Sequence, residues 1–126
     1  MKALNIIESG YRATLEEQDD TIVWFNHAMK GGGADLALLL RGNAVNYAVK
    51  GQDASGLSFG QEKQTQPPQL AEDLVKIIEK GVPVHIVEED VAERGLERSD
   101  LINGLKPISK TQVAKLVAEF DQVWHW

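Results

Sequence analysis

The sequence of 126 residues carries 13 basic and 19 acidic side chains, a formal charge of -6 spread along the chain, which argues against a nucleic-acid or anionic-membrane surface and leaves proteins and small molecules as the expected partners. That length suits one domain, residues 1–126, around one core. There is no cysteine, so thiol nucleophiles, persulfide carriers, disulfides and thiolate metal sites are excluded.

The opening MKALNIIESG has an apolar run too short for a signal peptide, and no segment approaches the roughly 20 apolar residues of a membrane span, so the cytoplasm is the expected location. Ala3 to Ile7 reads as a short strand ending at Glu8, Ser9 and Gly10. Thr14 and Glu17 form a capping-box pattern, and Ile22, Phe25 and Met29 give the following helix an apolar face that stops at Gly31, Gly32 and Gly33. ADLALLL, Ala34 to Leu40, is apolar nearly throughout and predicts a central strand covered on both faces. From Gly42 to Pro68 the pattern is least regular: AVNYAV suits a short helix, and the long polar excursion after it reads as a mobile loop. Leu70, Leu74, Ile77 and Ile78 mark a second amphipathic helix closed by Gly81, and Val82 to Val87 a third strand. SDLING resembles a single helical turn ending at Gly104. Ser109 and Gln112 form another capping box, ahead of Val113, Leu116, Val117 and Phe120 on one helix face. QVWHW either prolongs that helix or forms a last strand. Alternating strands and helices predict an α/β fold with a mostly parallel sheet, without repeats or an interdomain linker.

Three adjacent acids, Glu88, Glu89 and Asp90, follow the third strand. Acids in a helix's first turn are favoured by the helix dipole and by free backbone N–H groups, which makes helix capping the first reading. The second is a site. Loops after three strands converge at one edge of such a sheet, bringing Glu8, Ser9, Tyr11 and Arg12 towards Arg41, Asn43 and Tyr47, and both groups towards Glu88 and Glu89. Two arginines facing carboxylates would suit an anion, a general base or a metal. Of the histidines, His27 lies beside helical core positions and His125 between two tryptophans, and His85 alone is near the acidic turn. No H-x-x-H or H-x-x-x-H spacing occurs, so no two-histidine metal site sits on one helix. Gly31 to Gly33 follow a helix and precede a strand, the reverse of a phosphate loop. ESGYRAT is in the right place for a flavin phosphate but has one glycine and an acid at its start, so no cofactor is expected. Trp124 and Trp126 are suited equally to a subunit interface and to packing within the chain.

The order of GGADLALLLRGNAVNYAVKGQ (Gly32 to Gln52), GVPVHIVEEDVAERGL (Gly81 to Leu96) and a closing helix followed by Asp121, Val123 and Trp126 resembles the small DsrE/DsrF-like sulfur-relay proteins over nearly the whole chain. The resemblance implies a flavodoxin-like three-layer sandwich of about five strands and assembly into a dimer, trimer or hexamer, with sulfur-relay proteins among the partners. It also implies a position for the persulfide cysteine of sulfur-carrying members, at the end of the third strand and eight residues before the glycine that is Gly95 here. That position is Val87. A valine cannot hold sulfane sulfur, which needs an ionisable thiol. The expected protein is therefore a non-catalytic oligomer that binds a partner or small ligand. The rival is an enzyme or a metal or small-anion binder built from Glu88, Glu89 and Asp90 with Arg12, Arg41 and His85.

Overall fold

The computed structural model describes residues 1–11 and 21–126. Arg12 and the capping box of Thr14 and Glu17 lie outside them. In chain order the elements are β1 (Lys2–Ile7), α1 (Thr21–Gly31), β2 (Asp35–Leu40), a 3-10 helix (Gly42–Ala48), a small hairpin of β3 (Ser58–Phe59) and β4 (Glu62–Lys63), and α2 (Leu70–Glu79). They continue with β5 (Val84–Val87), α3 (Glu88–Glu93), a 3-10 turn at Arg98–Asp100, β6 (Lys106–Ile108), a 3-10 turn at Lys110–Gln112, α4 (Val113–Val117) and β7 (Gln122–His125).

Five strands form one sheet in the order β6-β5-β2-β1-β7, every pairing parallel. This is the expected flavodoxin-like three-layer sandwich. Parallel neighbours need crossovers, and crossovers are right-handed, so the direction of travel across the sheet decides which face a helix covers. From β1 to β2, β5 and β6 the chain moves one way, and the buried side chains of α1, α2 and α3 share one core cluster with Leu38, Leu40, Val84 and Ile86. From β6 to β7 it jumps back past β1, and α4 accordingly packs on the other face, with Leu116 against Leu4, Ile6, Ala37, Leu39 and Val87. The order reverses between β1 and β7, the kind of switch point outside whose strand ends α/β proteins place ligands.

Helix ends follow the sequence signals. At the end of α1, Gly33 at φ 89 lets the Ala34 N–H reach the Met29 carbonyl at 3.0 Å and its own N–H reach Lys30 at 3.0 Å, the paired bonds of a glycine C-cap. The Ser109 and Gln112 capping box is formed, and it opens the short 3-10 turn ahead of α4.

One expectation needs adjustment, and the alternatives left open elsewhere are decided. The strand β6 was not foreseen, since LKPIS contains Pro107, and proline is tolerated because β6 is a sheet edge with one neighbour, β5. QVWHW is resolved as strand and not helix: Asp121 receives the Lys2 N–H at 2.7 Å and returns its own N–H to the Lys2 carbonyl at 2.9 Å, which sets β7 in register beside β1. The short helix expected at AVNYAV is the 3-10 helix Gly42–Ala48, and Ala44, Val45, Tyr47 and Ala48 within it are all fully buried.

Candidate functional site

The carboxyl ends of β1, β2 and β5 open into a cleft of about 490 Å³ on the α4 side of the sheet. Two smaller depressions, of about 240 Å³ beside Gly51–Asp53 and about 170 Å³ beside Leu96 and Pro107, have no comparable set of facing charges. Glu8 immediately follows β1, Arg41 immediately follows β2, and Val87 is the last residue of β5; Asp90 comes from α3 and Lys110 from the turn after β6. Val87, Val113 and Ala114 give the cleft its apolar lining. Val87 is 1% exposed, its side chain held within the cluster that α4 covers.

The acidic turn divides its three carboxylates among three tasks. Glu88 pairs with Arg98, beside the apolar depression of Ile86, Val91 and Leu96. Glu89 accepts the Lys110 backbone N–H at 2.9 Å. Asp90, 7% exposed, accepts the Gly42 N–H at 2.8 Å and the Lys110 ammonium at 3.1 Å. Burial pushes the Asp90 carboxyl up, but the Gly42 N–H and Lys110 more than offset this and hold it below the usual carboxylate value. Lys110 is held correspondingly high by its bonds to Asp90 and, at 3.2 Å, Glu93. Gly42 itself sits at φ 57, a conformation other residues rarely adopt, and a Cβ there would lie 3.1 Å from Glu8 Cγ. All three acids therefore tie elements together.

Around Arg41 the arrangement is different. Glu8 Oε2 lies 2.5 Å from His125 Nε2, a separation that requires a proton between them. Arg41 Nη2 reaches the same Glu8 oxygen only at 3.5 Å and the same His125 nitrogen at 3.3 Å. Arg41 Nε is buried and has no hydrogen-bond partner among the described residues. A nitrogen that donates its proton to Glu8 cannot also accept from Arg41, so the guanidinium keeps one long contact for five donors.

Of the residues singled out from the sequence, Glu8, Arg41, Val87 and Asp90 line the cleft, and the others do not. Ser9 donates its N–H to the Trp126 carbonyl at 3.3 Å, and Arg12 lies outside the described residues. Asn43 is exposed and accepts from Arg94 at 2.8 and 3.3 Å. Tyr47 is fully buried; its hydroxyl takes the Tyr11 N–H and its ring meets Tyr11 edge-on at 5.3 Å. His85 shares the α4 face with Val87, two residues before it, whereas Glu88 lines the depression on the opposite face, so these two are not brought together. The His85 ring has a buried Nδ1 without a partner among the described residues, and burial, then Lys106, pushes its pKa down. Trp124 and Trp126 lie 6.0 and 6.1 Å from Phe25 of α1, and the Trp126 indole donates to Asn5 at 3.1 Å. No group of three or more His, Cys, Asp or Glu among the described residues has metal-site geometry.

Sequence reasoning missed Lys110 and the pairing of His125 with Glu8. The capping box beginning at Ser109 placed Lys110 in a first turn, but only the unrecognised strand β6 brings that turn beside α3. His125 alternates in β7 with the tryptophans, and its place opposite Ile6 points it to the α4 face.

The sequence model of the DsrE/DsrF-like family matches residues 1–125. No curated protein matches the chain in sequence. Among solved structures the fold is similar to the ychN protein from E. coli, with a TM-score of 0.73 at 19% identity over 100% of both chains. A conserved protein of unknown function from Bacteroides thetaiotaomicron gives 0.68 at 11% identity, over 98% of this chain and 94% of that one. One from Methanobacterium thermoautotrophicum, also of unknown function, gives 0.60 at 11% identity, over 98% and 97%. At such identities the likeness is one of fold.

Proposed function

The chain belongs to the DsrE/DsrF-like family, and from that premise we propose that it is a non-catalytic, oligomeric family member that binds a small ligand or partner in association with sulfur metabolism, without carrying persulfide on a thiol of its own. One observation carries this reading: the residue at the floor of the carboxyl-edge cleft, where the family resemblance implies a sulfur-carrying cysteine, is the buried Val87. The cleft is present with charged walls and an apolar floor, and the ionisable sulfur that group transfer needs is missing from the whole sequence.

Support for assembly comes from the surface. Trp24, Phe59, Tyr11 and Leu57 are exposed by 40% or more, and the α4 face is covered by a single five-residue helix, leaving Val123 38% exposed beside it. Large apolar side chains in water are characteristic of interaction surfaces. The rival, a catalytic or metal-binding acidic turn, draws less support because Glu88, Glu89 and Asp90 are each engaged by a partner within the chain.

Native mass spectrometry of gently purified protein tests both parts. A defined oligomer carrying an extra mass that Arg41→Ala abolishes is the expected result; a monomer without any adduct at micromolar concentration would count against the reading.

A further inference from the structure

We infer that Arg41 is the anion receptor of this cleft and that its ligand is a carboxylate with a short apolar body, which displaces Glu8. The inference rests on the reading above that the cleft is the ligand site.

Each charged group at the cleft has a different degree of satisfaction. Lys110 is engaged through two of its three donors, by Asp90 at 3.1 Å and Glu93 at 3.2 Å, and Asp90 is additionally fixed by the Gly42 N–H at 2.8 Å. Glu8 is claimed by His125 at 2.5 Å. Among the described residues, Arg41 has only the 3.5 Å contact to Glu8, made through one nitrogen, while its Nε is buried and without a partner there. A guanidinium is best satisfied by two parallel N–H···O bonds to a planar pair of oxygens, and the structure gives it neither the pair nor the distance. Buried donors left open are unfavourable, and that deficit is what an incoming carboxylate removes.

The rest of the ligand follows from the lining. Beyond Arg41 the cleft presents Val87, Val113 and Ala114, surfaces that would strip water from a bare inorganic anion without replacing it but would gain from covering an alkyl group. His125 has a role in the exchange. It keeps its hydrogen bond to Glu8 once that carboxylate has been displaced from Arg41, so the acid is not left without a donor beside the ligand. Both groups are about half exposed, which lets the displaced carboxylate turn to water at small cost.

The test is an NMR titration of the isotope-labelled full chain with butyrate, with sulfate in parallel at matched ionic strength. Butyrate should give saturable shifts at Val87, Val113 and the Gly42 amide. Binding should weaken about tenfold or more in Arg41→Lys, which keeps the charge and loses the fork, and should tighten in Glu8→Gln, which removes the competitor. Circular dichroism of both variants verifies that they are folded. Butyrate shifts that never saturate, or an affinity unchanged in Arg41→Lys, would overturn the assignment, and so would sulfate binding as tightly as butyrate with the same dependence on Arg41. The broader reading fails separately: if butyrate does not bind but native mass spectrometry still shows an adduct sensitive to Arg41→Ala, the cleft is a ligand site of another chemistry. If neither appears, both fall.

Discussion

Replacing Asp90 by alanine tests the claim that the acidic turn is structural. The side chain is 10% exposed, and one oxygen accepts the Gly42 N–H at 2.8 Å while the other faces Lys110 at 3.1 Å. Truncation leaves the Gly42 amide without its acceptor in a strained φ of 57. A buried donor left open costs about 1–3 kcal/mol, and because Gly42 is partly exposed to water the lower half of that range applies, about 1–2 kcal/mol. For a domain of this size that corresponds to a fall in melting temperature on the order of 4–8 °C. The loss should also depend on pH in a definite direction. The Asp90 carboxyl is held below its ordinary value in the folded protein, so its contribution is complete at pH well above about 4 and is lost as the pH falls through the folded value. Thermal and urea unfolding of wild type and Asp90→Ala from pH 7 down to pH 3 should therefore show a gap that is full at neutral pH and narrows in acid. Asp90→Asn, which retains an acceptor for Gly42 but no charge for Lys110, should fall between the two. An Asp90→Ala protein within about 0.5 kcal/mol of wild type at pH 7, the ordinary range of a surface substitution, would refute the structural assignment. A gap that stays constant into acid would refute the role of the ionised carboxylate.

Other substitutions examine other parts. Val87→Cys places a thiol at the cleft floor with a near-isosteric change, at a cost below about 1.5 kcal/mol; on treatment with polysulfide the variant should gain the mass of one sulfur atom, wild type should not, and a variant that stays unmodified would argue that the cleft is not a sulfur-carrying site lacking only its thiol. Asn5 and Asn26, both 0% exposed, are joined at 2.7 Å, and Asn26 also bonds the Ile22 carbonyl at 2.7 Å. Asn26→Ala should cost about 1–3 kcal/mol in urea unfolding through the unpaired Asn5 amide, and an unchanged midpoint would show that water replaces the bond. His85 has its pKa depressed by burial, so wild type should lose stability as the pH falls below about 6.5, and His85→Leu should lack that component; parallel slopes of melting temperature against pH for the two would contradict it.

Much of the fold was legible because a parallel sheet writes itself as nearly uninterrupted apolar runs, and LNII, polar only at Asn5, and LALLL are buried as such runs must be. Glycine C-caps at Gly33 and Gly81 marked where α1 and α2 stop, and the capping box at Ser109 marked a real turn. What stayed hidden was hidden for local reasons. The strand β6 is three residues with a proline, a pattern a single chain segment cannot distinguish from a loop; its identity comes from pairing with His85, Ile86 and Val87. The site was half legible. Convergence of the loops after β1, β2 and β5 follows from the topology, and the cleft there is lined by Glu8, Arg41 and Val87 but not by the expected Glu88 and Glu89. Rotamers and long-range partners are not written in spacing, so Glu88 could not be seen to take Arg98, nor His125 to reach Glu8 across 117 positions.

The two clusters at the sheet edge explain each other. Asp90, Glu89 and Lys110 lock the loop after β2, the helix after β5 and the turn after β6 into one frame, and this frame fixes the position of the Arg41 backbone, whose N–H bonds the Ile7 carbonyl at 3.0 Å. A receptor needs that rigidity, because a guanidinium free to wander would relax onto Glu8 and close its own site. Here the backbone holds Arg41 where Glu8 is reached only at 3.5 Å, and His125 holds Glu8 from the other side at 2.5 Å. The acids of the turn thus act on the proposed ligand site at one remove: bonded to Gly42, Lys110 and Arg98, they keep open the distance on which the under-satisfied arginine depends.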